Sequence, residues 1–373
     1  RRGMGQPIRA LPARGSCGPI RAAFAFGLRP APLPRAVNSA FRREGAAVPE
    51  DAPRPIRWET LTKRQFDRID RSQAVVMVTC SPLEVHGPHL PLGADALEGE
   101  GLAERVLRFL PEPHRSRTFL KLPFVYAACD GVPQPGTIAF RPSTTIAVLE
   151  DLGRSLAAQG FRDVIVSNFH GSPRHFLAIE TACERVSRDR GIRMVSVFSM
   201  MLSRLNDGSS ELGDVLGHLP GVDKAVLEGD THGGLVETSQ LLALHPEWVD
   251  PDYKVLPRRT VDLWLAGQGQ PKRPPPKGKL AAIPEMLASY KAGIRFFTEE
   301  TYSGAPAGAS AELGEAILDT LGRHTAEAVV ELWEGRLPPA EWHSPLWKLR
   351  HIFVNPAAVR FFDLLLAVPR TVS

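Results

Sequence analysis

The sequence predicts an α/β protein, a three-layer α/β/α fold with a mainly parallel sheet, from two observations. Short apolar runs rich in β-branched residues alternate with longer segments whose apolar residues recur at helical spacing. Polar loops rich in proline and glycine follow two of the strand-like runs directly. Such alternation is typical of parallel sheets covered by helices on both faces, with ligand sites at the carboxyl ends of the strands.

The elements are expected in a regular order from about residue 56 onward. Apolar, β-branched runs predict strands at residues 73–80, 119–126, 163–167 and 192–198. Helical periodicity, with capping residues and a glycine stop, predicts helices at about 96–110, from a cap at 143–145 to Gly160, from Ser172–Pro173 onward, and at 310–333. Four prolines within residues 267–279 predict an extended loop.

The first part of the chain differs in composition from the rest. Between Arg1 and Arg43 there are nine arginines and no acidic residue. We therefore expect residues 1–52 to be a basic, disordered extension. An organellar transit peptide, or sequence upstream of a true start, is the alternative interpretation.

Charge, cysteines and hydropathy exclude several classes of protein. Outside residues 1–43, 36 Lys and Arg stand against 41 Asp and Glu, so the net charge of +4 gives no support to nucleic-acid binding. The four cysteines form no Cys-x-x-Cys pair and indicate reduced thiols in a cytoplasmic protein. No apolar run approaches the ~20 residues that span a bilayer, so no membrane association is expected.

The twelve residues Glu84–Asp95 are the most informative stretch. They contain two histidines, two carboxylates, two prolines and two glycines. Pro88 and Pro91 exclude a regular helix, so these groups are expected on a loop at the end of the preceding strand. Mixed imidazole and carboxylate ligands favour zinc, manganese or iron over magnesium or calcium. A solvated surface loop is the alternative.

Two later loops carry groups of the same kind. Asn168 and His170 follow the strand at 163–167, and the stretch 230–239 supplies Asp230, His232 and Glu237. Each loop alone is weak support for a site, but strand ends that converge on one sheet edge would bring all three together.

Together these motifs resemble the creatininase family of metal-dependent amidohydrolases. The loop Glu-x-His-Gly-Pro-His-Leu-Pro-x-x-x-Asp has every defining position of the family. Weaker matches lie at Pro135–Ile138, in both later loops and in segment 304–315. The resemblance covers about residues 58–333. It implies a creatininase-like hydrolase domain over residues 53–338, followed by a helical tail over residues 339–373.

By this resemblance, Glu84 and His86 bind different metals of a binuclear site, Asp95 bridges them and His170 completes the shell of the first. The implied cofactors are two divalent ions per subunit, Zn2+, Mn2+ or Fe2+. A bridging carboxylate holds two cations ~3.5–4 Å apart, and a water between them becomes a nucleophile near neutral pH.

The resemblance also assigns the catalytic set. His232 matches a histidine near the reacting centre and is suited to moving a proton to the leaving amine. Glu237 is placed beside it as a support for the ligands, with direct metal binding left open. Two departures matter: Ser172 stands where creatininase has a glutamate, and Asp130-Gly131 replaces a Glu-His pair of many relatives. The pocket is therefore expected to suit something other than creatinine.

The sequence thus predicts a metal-dependent amidohydrolase that cleaves a cyclic or linear C–N amide bond in a small, non-protein molecule with a metal-bridging hydroxide. The alternatives are a peptidase that trims a peptide precursor in cofactor maturation, and a non-catalytic binding module. The resemblance also implies a homo-oligomer, and a hexamer is the expected form. His89 and His175 are not expected to bind metal, and Cys80 and Cys129 are expected to be inert buried thiols.

Overall fold

A five-stranded, wholly parallel sheet forms the centre of the molecule in the computed structural model, which describes residues 52–205, 219, 222–270, 279–338, 341–366 and 368. The strand order is β1-β3-β2-β4-β5. The strands are β1 (Ile56–Arg57), β2 (Ala74–Thr79), β3 (Thr118–Lys121), β4 (Asp163–Ser167) and β5 (Arg193–Ser196).

The middle strand, β2, explains why the sheet forms where it does. All six of its residues are buried, as expected for an apolar run covered on both faces. Val76 of β2 lies between Leu120 of β3 and Val164 of β4 in the parallel register. The carboxyl ends of β2 and β4 are therefore neighbours, and the loops that leave them meet at one edge of the sheet.

Helices flank the sheet on both faces. In chain order they are α1 (Lys63–Phe66), α2 (Ala94–Arg108), α3 (Pro142–Ala158), α4 (Pro173–Arg190), α5 (Val197–Leu205), α6 (Lys224–Leu227), α7 (Leu235–Leu244), α8 (Val261–Gly267), α9 (Lys279–Glu299), α10 (Ala311–Trp333), α11 (Arg350–Val354) and α12 (Pro356–Leu366). Helices α3 and α4 pack together, while α10 packs against α2, α5 and α7. The predicted α/β class is confirmed.

Four local predictions need correction. Helix α2 begins at Ala94, so Asp95 lies in its first turn rather than in the loop. The predicted cap at 143–145 is wrong, because Arg141 precedes α3 and Pro142, whose fixed φ suits a first turn, starts it. Strand β3 ends at Lys121, although the prediction extended it to residue 126. Strand β5 ends at Ser196 rather than at residue 198, because α5 begins at Val197.

The chain beyond the predicted domain is helical where it is described, with α11 packed on α4 and α12 on α11. The predicted extension, residues 1–52, falls almost wholly outside the described residues, and so does most of the predicted loop at 267–279. No helix in the described part of the chain combines the length and apolarity needed to cross a bilayer.

Candidate metal centre

The three predicted loops do meet at one edge of the sheet. Their side chains approach one another in three overlapping groups, each with its ligand atoms within 4.8 Å of one another: Glu84, His86 and His232; Glu84, Asp95 and His170; His86, Asp95 and Glu237. All six residues come from the sequence prediction. Five of them are buried, and the Glu237 side chain is only 13% exposed.

Glycines permit the close approach of the loops. Gly87 has φ +72°, and a Cβ there would lie 2.7 Å from His89 Nδ1. Gly233 has φ +57°, and a Cβ there would lie 3.1 Å from the backbone carbonyl of His86. Both positions therefore need a residue that adopts left-handed backbone without a side chain. This geometry accounts for the glycine next to His86 and the one next to His232.

Three histidines share one arrangement of their ring nitrogens. His86 Nδ1 lies 3.1 Å from the Glu84 carbonyl, His170 Nε2 lies 3.2 Å from the Cys129 carbonyl, and His232 Nε2 lies 2.7 Å from the Val85 carbonyl. Carbonyl oxygens only accept hydrogen bonds, so each of these nitrogens carries the proton. The other nitrogen of each ring is then an unprotonated electron-pair donor in the neutral form. Histidines that bind metals are held in this way.

Asp95 lies between the two histidines that face the carboxylates. Its Oδ1 is 3.3 Å from His86 Nε2, and its Oδ2 is 3.3 Å from His170 Nδ1. Glu84 Oε2 lies 2.9 Å from His170 Nδ1, and Glu237 Oε2 lies 3.9 Å from His86 Nε2. The two oxygens of Asp95 therefore face different groups: Oδ1 faces the group with His86 and Glu237, and Oδ2 faces the group with Glu84 and His170. This is the arrangement expected of a bridging carboxylate.

The charges of the centre perturb its pKa values strongly. Burial alone would lower the pKa of His86, but Asp95, Glu237 and Glu84 raise it to about 10. The pKa of His170 is likewise raised, against burial, by Glu84 and Asp95. Burial raises the pKa of Glu237 to about 7. Without a metal, protons on the two histidines compensate the buried carboxylates.

The residues fit a divalent metal ion. Glu84 Oε2, His86 Nε2 and Asp95 Oδ2 are buried and make no hydrogen bond within the described part of the chain. Buried polar atoms rarely lack a partner, so such atoms indicate an ion or a water. Imidazole and carboxylate donors together suit zinc, manganese or iron.

His232 differs from the other two histidines electrostatically. Burial, assisted by the neighbouring charge of His86, lowers the pKa of His232 to about 4. Its ring lies 4.1 Å from the His86 ring, and Phe297 of α9 contacts it edge-on at 5.3 Å. At neutral pH His232 is therefore neutral, with Nδ1 able to accept a proton.

The other polar residues of the three loops, Asn168, Asp230 and His89, make hydrogen bonds that hold the loops in place. Asn168 Oδ1 accepts from the His170 amide at 2.9 Å and so fixes the turn. The Asp230 carboxylate accepts hydrogen bonds from the first backbone amides of α7, including that of Leu235 at 2.5 Å. His89 Nε2 contacts Thr238 Oγ1 at 2.8 Å, consistent with its exclusion from the ligands.

Two features of the site were missed by the sequence analysis. Glu98 of α2 is fully buried, and burial together with Glu237 and Asp95 raises its pKa well above the ordinary value. Its spacing of three from Asp95 on a helix was the available signal, since such residues share a face. The contact between segment 129–132 and Glu84 was also missed: Val132 N donates to Glu84 Oε1 at 2.6 Å. A backbone contact of this kind leaves no mark in the sequence.

Comparison with known proteins supplies independent information. A family model described as creatininase, creatinine amidohydrolase, matches residues 59–329. Creatinine amidohydrolase of Pseudomonas putida is 25% identical over 229 residues, covering 60% of this chain and 85% of that protein. The mycofactocin precursor peptide peptidase of Mycolicibacterium smegmatis is 25% identical over 298 residues, covering 79% and 95%. A solved structure described as "Creatininase Mn" shares the fold, with a TM-score of 0.51 and 22% identity over 75% of this chain and 99% of that one.

Proposed function

Since the chain belongs to the creatininase family of amidohydrolases, we propose that it cleaves a C–N amide bond of a small, non-protein molecule at a metal centre. Glu84, His86, Asp95 and His170 are the proposed ligands. The observation that carries this proposal is the arrangement of the histidines. Both histidines donate one ring N–H to a backbone carbonyl and turn the other nitrogen toward Glu84 and Asp95, each of which has a buried oxygen with no hydrogen bond to any described residue.

The proposed cofactor is a pair of divalent transition metals, with Asp95 shared between them. Glu84 and His170 would complete one position, and His86 and Glu237 the other. Glu237 is therefore assigned as a ligand rather than only a supporting residue, because its carboxylate and that of Asp95 face the same nitrogen of His86. When bound, such ions polarise the amide carbonyl and lower the pKa of coordinated water.

His232 is the proposed acid–base residue. Its neutral form at pH 7 lets Nδ1 accept the proton of the attacking water, while Val85 holds the Nε2–H side of the ring. The same proton then passes to the departing nitrogen, which must be protonated to leave as an amine. The His232 ring lies 4.1 Å from the His86 ring and so within reach of the centre.

A peptide substrate is the second candidate. The match to the mycofactocin precursor peptide peptidase extends over 79% of this chain, against 60% for creatinine amidohydrolase. The two candidates share the centre and the chemistry and differ only in the substrate.

Assembly, domain limits and location are proposed on separate grounds. A homo-oligomer, with a hexamer expected from the family, is supported by exposed apolar side chains on α12: Phe361, Leu364 and Leu365 are 61%, 63% and 54% exposed. The composition of residues 1–52 supports an extension outside the catalytic domain 53–338. The free, buried thiols of Cys80, Cys129 and Cys183 support a cytoplasmic location.

The experiment begins with elemental analysis of the purified protein and of metal-stripped samples reloaded with Zn2+, Mn2+ or Fe2+. The reloaded protein is then screened against cyclic and linear amides for ammonia or amine release, and against short peptides by mass spectrometry. Amine release from small amides supports the first candidate, and cleavage of peptides alone supports the second. Metal binding without turnover of any substrate would favour a binding module instead.

A further inference from the structure

A buried ion network lies directly beside the proposed metal centre. Arg174, in the first turn of α4, is only 6% exposed. Its Nη1 donates to Asp130 Oδ1 at 3.1 Å, and its Nη2 lies 2.6 Å from Asp363 Oδ1. Ser172 Oγ donates to the second oxygen of Asp130 at 3.2 Å. One guanidinium thus joins three separate parts of the chain: segment 129–132, α4 and the last helix, α12.

The network holds an unusual backbone conformation. Asp130 has φ +64°, and among the described residues no other non-glycine residue has a positive φ. Left-handed backbone is unfavourable for a residue with a side chain, so it persists where the surroundings impose it. Here the imposing contacts are those of the Asp130 carboxylate with Arg174 and Ser172.

The segment that Asp130 fixes contacts two proposed ligands through its backbone. The carbonyl of Cys129, one residue before Asp130, accepts from His170 Nε2 at 3.2 Å. The amide of Val132, two residues after it, donates to Glu84 Oε1 at 2.6 Å. These two contacts set the proton position of His170 and the direction of the free Glu84 oxygen. A shift of Asp130 would disturb both ligands together.

The C-terminal region is attached to α4 in two places. Besides the Asp363 contact, His343 lies with Nδ1 3.3 Å from Glu180 and Nε2 3.4 Å from Glu184, both on α4. The ring of Trp347 stacks on His343 at 3.7 Å. Asp363 is therefore held at a defined place relative to Arg174, although it lies beyond residue 329, where the family match ends.

We propose that Asp130 and Arg174 are positioning residues for the metal centre, and that α12 completes this support through Asp363. The inference rests on the proposed metal centre. It gives the C-terminal tail, to which the sequence analysis assigned no chemistry, a role in holding His170 and Glu84 in the geometry that binds metal.

The test measures Zn2+ affinity, by competition with a chelator, on the metal-stripped full chain. The variants are Asp130→Asn, which keeps the size and tolerates left-handed backbone, Arg174→Gln and Asp363→Asn. The matched control is Asp189→Asn, which removes an exposed ion pair with Arg188 on the same helix. The melting temperature of each metal-free variant is recorded, so that a loss of folding stability is separated from a loss of affinity.

We expect Asp130→Asn and Arg174→Gln to weaken Zn2+ binding ~10–100-fold, as is usual for residues that support metal ligands. Asp363→Asn should weaken it in the same direction by a smaller factor, Asp363→Glu should restore part of the loss, and the control should match the wild type. Should Arg174→Gln fail to fold, the partly exposed Asp363 still provides the test.

Wild-type Zn2+ affinity in the Asp130, Arg174 and Asp363 variants, even with lowered melting temperatures, would overturn the inference and leave the metal centre intact. A wild-type protein that binds no metal would overturn the proposed function itself. The two failures are therefore distinguishable.

Discussion

Metal binding should release protons, because neighbouring carboxylates favour the charged form of the two proposed ligand histidines in the metal-free centre. Neighbouring carboxylates raise the pKa of His86 to about 10, despite burial, and also raise that of His170. At pH 7.5 His86 therefore holds a second proton, and the same carboxylates favour a second proton on His170. Only neutral imidazole binds a metal. Glu237, with a pKa raised to about 7 by burial, contributes a further fraction of a proton. We expect more than one proton released per protein at this pH.

The affinity follows from the proton count. Each released proton raises the binding constant about tenfold per pH unit, so the affinity should rise at least tenfold per unit between roughly pH 7.5 and 9, where His86 stays protonated. The stability of the metal-free protein should change in the opposite direction. A histidine whose folded-state pKa is raised contributes stability that is fully present below its unfolded pKa of ~6.5. That contribution is lost as pH rises through about 10, and for His86 it amounts to about 5 kcal/mol at most.

Isothermal titration calorimetry of Zn2+ binding, in buffers of different ionisation enthalpy, counts the released protons. His86→Asn should lower the count by about one, and His170→Asn should lower it in the same direction. His245→Asn, a control at a histidine that contacts Glu247 on the surface, should leave it unchanged. A wild-type count near zero at pH 7.5 would refute the reasoning, since the histidines would then be neutral beforehand or not be ligands.

Four further predictions concern the centre and the assembly. Asp95→Ala should lose more metal, by elemental analysis, than Glu84→Ala or His86→Ala, because one Asp95 oxygen faces each proposed metal position; equal losses would argue against a bridge. His232→Ala should lower turnover ~10²–10⁴-fold with near wild-type metal content, whereas an emptied site would make His232 a ligand. A chain that starts at Pro53 should keep its metal and its melting temperature, and loss of either would make the extension part of the domain. Light scattering should find a homo-oligomer, and a monodisperse monomer of 40.8 kDa would contradict that expectation.

The sequence predicted the parts of this molecule that depend on short-range pattern. The apolar run of β2 and the proline-rich loop after it placed Glu84 and His86 at a strand end, and the structure has them there. Convergence of parallel strand ends then correctly predicted that His170 would approach them. The start of α2 was less predictable, because Ala94 and Asp95 suit a loop end and a helix start equally well.

Long-range pairings could not be predicted. Arg174 meets Asp130 and Asp363, which lie 44 and 189 positions away in the chain. The ring tautomers of the histidines depend on backbone carbonyls such as that of Cys129, which any residue could supply. Such contacts appear only once the fold is known.

Anomalous diffraction from crystals soaked with Zn2+ or Mn2+, recorded at the absorption edge of each metal, tests the binuclear centre most directly. The account predicts two peaks ~3.5–4 Å apart on either side of the Asp95 carboxylate, one beside Glu84 and His170, the other beside His86 and Glu237. Peaks elsewhere on the protein, with none within bonding distance of Asp95, would contradict it.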